Sequence, residues 1–133
     1  MRTLATVALL SLVSGVASAA PCHHVVGTWQ FQLACVSAYD SPPLFGTSTP
    51  TGTITHQDGC AFAGTVGPYK WVGVLHGDNN RLFDSDYGGA KLAGELTTRR
   101  AGEFTRMDVR YTYSTTPAIP GSPTACVGTA TRD

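Results

Sequence analysis

Charged residues are scarce in this chain, and neither sign is in excess. Nine Lys and Arg balance nine Asp and Glu, and together they make up only 14% of the 133 residues. A chain without a basic surplus lacks the electrostatic footprint expected of a protein that binds nucleic acid or an anionic membrane. The sequence therefore predicts no nucleic-acid partner and no membrane partner.

Long apolar runs are absent beyond the first twenty residues. The one apolar run covers residues 4–16, follows Arg2 and precedes the small residues of the 17–21 segment, ASAAP. A basic start, a short apolar run and a small-x-small site together indicate a secretory signal peptide. The run is too short to span a bilayer as a mature helix. We predict a signal peptide over residues 1–19, a single β-barrel domain over residues 20–133, and a secreted or periplasmic location.

Cysteine is sparse, and no Cys-x-x-Cys pair occurs. The four cysteines, Cys22, Cys35, Cys60 and Cys126, are spread along almost the whole mature chain. In a small exported protein, this number and spread favour two disulfides over a metal site.

A helical period is also missing, whereas short alternating segments recur throughout. Threonine and scattered glycine favour strands and turns, and Asp58-Gly59 is a strong hairpin signal. Eight strands are predicted at residues 27–35, 51–57, 60–66, 69–76, 81–84, 90–98, 103–113 and 125–131. Regular spacing of short strands predicts an all-β fold, an antiparallel up-and-down barrel of about eight strands whose closure removes exposed edges.

Residues 37–50 form the longest predicted irregular connection. Pro42, Pro43 and Pro50 are expected to exclude regular strand pairing there. Leu44 and Phe45 lie in the middle of the connection, which suggests that it folds back over something apolar. Connections of this length are usually functional or disordered.

The barrel topology predicts the cysteine pairing. Cys35 ends the first strand and Cys126 begins the last, so both lie at one end of neighbouring strands. Cys22 precedes the first strand and Cys60 begins the third, which places both at the other end. We therefore predict the disulfides Cys35–Cys126 and Cys22–Cys60 among the three possible pairings.

The start of the first strand carries a family likeness. Gly27-Thr28-Trp29 resembles the Gly-x-Trp that opens the lipocalins and related calycins, including the avidins, and the strand order is similar over roughly the mature chain. The resemblance implies a small barrel in which Trp29 closes one end and the cavity holds a small apolar molecule.

Alternation places several large apolar side chains inside such a barrel. Trp29, Phe31, Trp71, Met107 and Tyr111 are the candidate lining of a ligand pocket. The alternative is that these side chains simply fill the interior, because an eight-stranded barrel is narrow enough to be filled.

Two patterns resemble metal sites. Asp84 and Asp86, followed by Glu95, have the spacing of a calcium loop, but Gly88 occupies a ligand position and the flanks read as strands. His23 would complete an N-terminal copper site only if cleavage followed Ala20. We expect an Asp/Gly turn in the first case and an exposed histidine in the second, and hence no metal and no cofactor.

A catalytic constellation is not evident. His56 and His76 each precede an aspartate, Asp58 and Asp78, by two positions, which is the minimum for acid–base work. The chain lacks a Gly-x-Ser-x-Gly elbow, and its cysteines are expected to be oxidised, so no nucleophile stands out. The sequence therefore predicts a protein without catalytic residues.

Two binding functions remain. The first is binding of a small apolar molecule that enters the barrel beside residues 37–50. The alternative is a protein-binding module, such as an inhibitor of a secreted hydrolase, with Leu44 and Phe45 as the wedge that enters the partner.

Overall fold

The computed structural model describes residues 21–37, 42–113 and 124–133. The predicted signal peptide, residues 1–19, lies outside the described residues. The strands in this part of the chain are β1 (Gly27–Ser37), β2 (Leu44–Ser48), β3 (Thr51–Asp58), β4 (Ala61–Val66), β5 (Tyr69–His76), β6 (Leu82–Tyr87), β7 (Ala90–Leu96), β8 (Arg99–Arg100), β9 (Glu103–Phe104), β10 (Arg106–Tyr113) and β11 (Thr124–Thr131).

Eight of these strands close into an antiparallel barrel, as predicted. The order around the barrel is β1, β3, β4, β5, β6, β7, β10 and β11, and β11 returns to pair with β1. The closing register runs from Gln30 opposite Thr131 to Ser37 opposite Thr124. The architecture is consistent with a calycin-like fold.

Period-two alternation decides which side chains enter the barrel. In β1, Trp29, Phe31 and Leu33 are buried, whereas Gln30 and Gln32 between them are exposed. Because the strands around the barrel alternate in the same way, their inward side chains form one apolar core.

Glycines on two central strands make room for the largest rings. A Cβ on Gly73 would lie 2.4 Å from the Phe62 ring, and one on Gly94 would lie 2.8 Å from the Phe83 ring. The phenylalanines therefore pack directly on neighbouring backbone, a close approach that a side chain at either glycine would prevent.

Both predicted disulfides are confirmed. Cys35 and Cys126 face each other across β1 and β11, with Cα atoms 4.1 Å apart. Cys22 and Cys60 join the segment before β1 to the β3–β4 turn, with Cα atoms 5.2 Å apart. Two disulfides indicate an oxidising compartment. None of the described residues forms a helix that is long and apolar enough to cross a membrane.

The prediction that residues 37–50 exclude strand pairing was wrong. Leu44–Ser48 pairs with the second half of β1, so that Phe45 lies opposite Val36. The prolines flank this segment and do not interrupt it, so its five residues keep their amide donors.

Among the smaller differences from the predicted boundaries, two change how neighbouring strands are connected. The strand predicted at residues 81–84 continues to Tyr87, because the turn needs only Gly88 and Gly89, both with positive φ. The strand predicted at residues 103–113 is divided by Thr105 into β9 and β10, and β9 pairs with β8 in a separate short hairpin.

Candidate functional site

Trp29 closes the end of the barrel where β1 begins. Its side chain is fully buried, and its indole N–H donates to the Val25 carbonyl at 2.9 Å. The guanidinium of Arg132 lies over the indole, 5.1 Å from the ring centroid. We call this end, defined by Val25, Trp29, Phe104 and Arg132, the plugged end.

Arg132 holds the plugged end together through backbone carbonyls. Its guanidinium donates to Phe104 at 2.7 Å, to Val26 at 2.6 Å and to His24 at 3.0 Å, and it lies 3.5 Å from the Glu103 carboxylate. Burial lowers the pKa of Arg132 and Glu103 opposes that shift, but an arginine stays charged in either case.

The sequence analysis missed Arg132, although a positional signal was available. In a closed up-and-down barrel, the end of the last strand lies beside the start of the first. An arginine directly after the last strand therefore lies next to Trp29, where a cation can stack on the indole.

The middle of the barrel is filled by aromatic and aliphatic side chains. Phe31 and Phe62 both contact Trp71 edge to face, with ring centroids 5.9 and 5.4 Å away. Met107 is also buried in the core. The Trp71 indole N–H is the one buried side-chain donor that finds no acceptor among the described residues.

Three tyrosines lie in a row at the end opposite the plug. The rings of Tyr69 and Tyr87 are 6.4 Å apart, and those of Tyr87 and Tyr111 are stacked at 5.7 Å. Burial raises the pKa of Tyr87 well above its usual value, and a hydrogen bond with Tyr111 acts in the same direction. We call Tyr69, Tyr87 and Tyr111 the tyrosine row.

An apolar groove lies on the outside of the barrel beside β2. Its volume is about 560 Å³. The side chains that line it include Ala34, Val36, Phe45, Ala125 and Val127, which alternation directs outward. We call this feature the outer groove.

Phe45 is the most exposed large apolar side chain that the described residues contain. It is 82% exposed, and Leu44 beside it is 57% exposed. Arg110 on β10 also lines the groove and supplies a positive charge at its border. The arrangement offers apolar surface and a single cation to a partner.

The candidate ligand residues from the sequence are divided among the barrel interior, the tyrosine row and β2, although Tyr111 lines the outer groove together with Phe45. Trp29, Phe31, Trp71 and Met107 are inside the barrel, and Tyr111 belongs to the tyrosine row. Leu44 and Phe45 lie on β2, outside the ring of eight strands. The structure thus does not gather them into one pocket.

The acidic pattern that resembles a calcium loop is divided among ion pairs. Asp84 and Asp86 lie within β6, where Asp84 accepts from His76 at 2.9 Å and Asp86 pairs with Lys91. A hydrogen bond from Lys91, helped by its positive charge, lowers the pKa of Asp86. Within the described ranges, no group of three or more His, Cys, Asp or Glu is placed to hold a metal ion.

The histidines considered for acid–base chemistry have other partners. His76 pairs with Asp84 across β5 and β6, and not with Asp78. The Nδ1 atom of His56 lies 2.9 Å from the Thr55 hydroxyl. These contacts place both histidines on the outer surface, away from the barrel interior.

Comparison with known proteins gives no match: no family model fits the chain, and neither a curated protein nor a solved structure is detectably similar to it.

Proposed function

We propose that this protein is an exported, non-catalytic binding module that engages a partner protein through β2 and the outer groove. The observation that carries the proposal is the exposure of Phe45, 82% on a strand that stands outside the barrel closure. A large aromatic side chain held this way on regular structure is the kind of residue that anchors protein interfaces.

β2 offers backbone as well as side chains. Among the strands of the described residues, β2 pairs only with β1. The pairing of β3 with β4 begins at Gly52 and Val66, after the end of β2, so β4 does not cover the free edge of β2. Its other edge therefore has backbone donors and acceptors available to an extended segment of a partner.

The lining of the outer groove indicates which side chains such a partner segment carries. Val36, Phe45 and Val127 form an apolar surface that accepts an aliphatic or aromatic side chain. Arg110 at the border favours a carboxylate at a neighbouring position of the partner. The partner is therefore a protein with an extended, apolar and acidic segment, and a secreted hydrolase is the class to test first.

The test is capture of the partner with the mature, disulfide-bonded protein from the medium in which the protein is naturally secreted. The captured partner is then purified and its affinity is measured by isothermal titration. Leu44→Ala combined with Phe45→Ala should weaken binding by about 100-fold, the effect of losing a central aromatic anchor. Inhibition of a captured hydrolase would establish the inhibitor role.

A matched control is available on the far side of the barrel. Val72 and Val74 are also exposed apolar strand residues, 54% and 47%, but they lie on β5. Val72→Ala with Val74→Ala should leave the affinity unchanged. Equal affinity of the Leu44/Phe45 variant and the wild type would reject β2 as the binding element.

A second candidate is binding of a small apolar molecule inside the barrel, with kinship to the lipocalins. The specific observation in its favour is the buried Trp71 indole N–H, which lacks an acceptor in the described part of the chain. A ligand with one acceptor atom would satisfy it. The position of Trp29 at the closed end also supports the kinship.

Native mass spectrometry of protein purified from its secretion route, without refolding, tests this second candidate. A bound mass that disappears in Trp71→Phe, a variant that keeps an aromatic ring but removes the N–H, would support it. If the native protein shows only its unliganded mass, the second candidate is rejected, and the barrel interior is filled by the protein's own side chains.

A further inference from the structure

We propose that a cleft beside the plugged end binds the oxyanion group, carboxylate or phosphate, of a small molecule. The cleft has a volume of about 420 Å³. Its lining includes His23, Asn79, Arg81, Thr97, Arg99 and Phe104. This site is independent of the outer groove, which lies beside β2 at the other end of the barrel.

Two arginines share one aromatic ring in this cleft. The guanidinium of Arg99 lies 4.5 Å from the centroid of the Phe104 ring, and that of Arg81 lies 5.4 Å from the same centroid. Phe104 itself is buried and lines the cleft, so its ring forms the floor of the cleft, and both cations lie within cation–π distance of it. Both guanidiniums line the cleft, so an anion bound there would be attracted by two positive charges.

The two arginines differ in how far their charges are already balanced. Arg81 donates through Nε to the Leu96 carbonyl at 3.1 Å and lies 3.6 Å from the Glu95 carboxylate. Arg99 meets no carboxylate among the described residues, and its ion-pairing capacity is available to a ligand. A guanidinium carries five N–H donors, and bidentate recognition of carboxylate or phosphate suits its shape.

His23 positions Arg99 over the ring. The Nε2 atom of His23 lies 2.9 Å from the Asn79 carbonyl, which can only accept, so Nε2 carries the proton. Nδ1 is then free to accept from Arg99 at 3.2 Å. The ring of His23 also contacts Phe104 edge to face at 4.7 Å, so one histidine holds both the cation and the floor in place.

The experiment is an NMR titration of the mature, disulfide-bonded protein with sodium phosphate and, separately, with sodium acetate. Sodium chloride at equal ionic strength is the reference. Saturable shifts of the Arg99 Nε–H signal and of the Thr97 and Asn79 amides are expected with at least one of the two anions. Whether phosphate or acetate saturates the site identifies which oxyanion it prefers.

Arg99 and Arg100 provide a matched pair of variants. They are neighbours on β8, both are exposed, and alternation turns them to opposite faces of the β8–β9 hairpin. Arg99→Gln should weaken binding about tenfold, whereas Arg100→Gln should change it by less than about twofold. Linear shifts without saturation for both anions, or an equal loss in the two variants, would overturn the proposal.

Discussion

The two ends of the barrel are held in different ways. At the plugged end, an irregular backbone segment before β1 is fixed by polar side chains and by the Cys22–Cys60 disulfide. Arg132 binds its carbonyls, and Gln57 accepts from the Val25 amide at 2.9 Å while donating to the His23 carbonyl at 2.8 Å. At the other end, the tyrosine row and the Cys35–Cys126 disulfide lie beside β2 and the outer groove.

The difference follows from the backbone hydrogen-bonding groups that each end has to pair. Residues 21–26 form no strand, so their buried backbone groups need side-chain partners. A single multidentate arginine meets that need at low entropic cost. At the opposite end, each β1 residue from Leu33 to Ser37 already has a strand on both sides, so side chains there are free to present surface. The plugged end therefore depends on side-chain contacts for its stability, whereas the other end carries the outer groove.

Truncation of Trp29 should show the largest difference between the ends. Trp29→Ala removes a fully buried indole and its hydrogen bond, and should lower the free energy of unfolding by about 3–5 kcal/mol. Tyr69→Ala at the other end removes a side chain that is 54% exposed, and should cost about 1 kcal/mol or less. Equilibrium urea unfolding with the disulfides intact measures both losses of stability. Equal losses in the two variants would contradict the difference between the two ends.

Replacement of Arg132 should have the next largest effect. Arg132→Met keeps much of the apolar stem but leaves the carbonyls of Phe104, Val26 and His24 without their donor. We expect a loss of about 2–4 kcal/mol, since hydrogen bonds to charged groups are strong and buried acceptors are costly to leave unpaired.

Arg110→Met is the control for that replacement. Arg110 is an exposed arginine on β10, and its loss should change stability by no more than about 0.5 kcal/mol. Should the two variants unfold at the same urea concentration, Arg132 would not be the element that secures the plugged end.

The sequence predicts what depends on local alternation and on strand order. Trp29, Phe31 and Leu33 enter the core because their strand alternates, and the cysteine pairs follow from which end of the barrel each strand reaches. Both arguments need only neighbouring residues and the assumption of closure, and the structure agrees with both.

What the sequence did not reveal depends on long-range packing. β2 was missed because the flanking prolines are a local signal against pairing, whereas its partner β1 is what stabilises it. The Arg81–Phe104–Arg99 cluster joins the β8–β9 hairpin, in which Arg99 lies opposite Phe104, to Arg81 just before β6, and no short motif records that contact. The tyrosine row likewise depends on the register of β5, β6 and β10.

The smallest of these effects concerns Tyr87 and alkaline pH. Its pKa in the folded protein is raised, chiefly by burial, above the value of about 10 for an unfolded tyrosine. Below about pH 10 both states hold the proton, and the contribution of Tyr87 to stability is fully present. As the pH rises further, the unfolded state releases the proton first, so stability falls.

Tyr87→Phe should remove this part of the alkaline loss. Urea unfolding of both proteins at about pH 8 and about pH 11 measures it, because the titrating groups that do not contact Tyr87 are shared and cancel in the difference. A smaller decline in the variant would show that the tyrosine row is dry in the folded state. An identical decline would mean that water reaches the Tyr87 hydroxyl in the folded protein. The tyrosine end would then be more open to solvent than the partial burial of Tyr87 indicates, and the contrast with the plugged end would be larger.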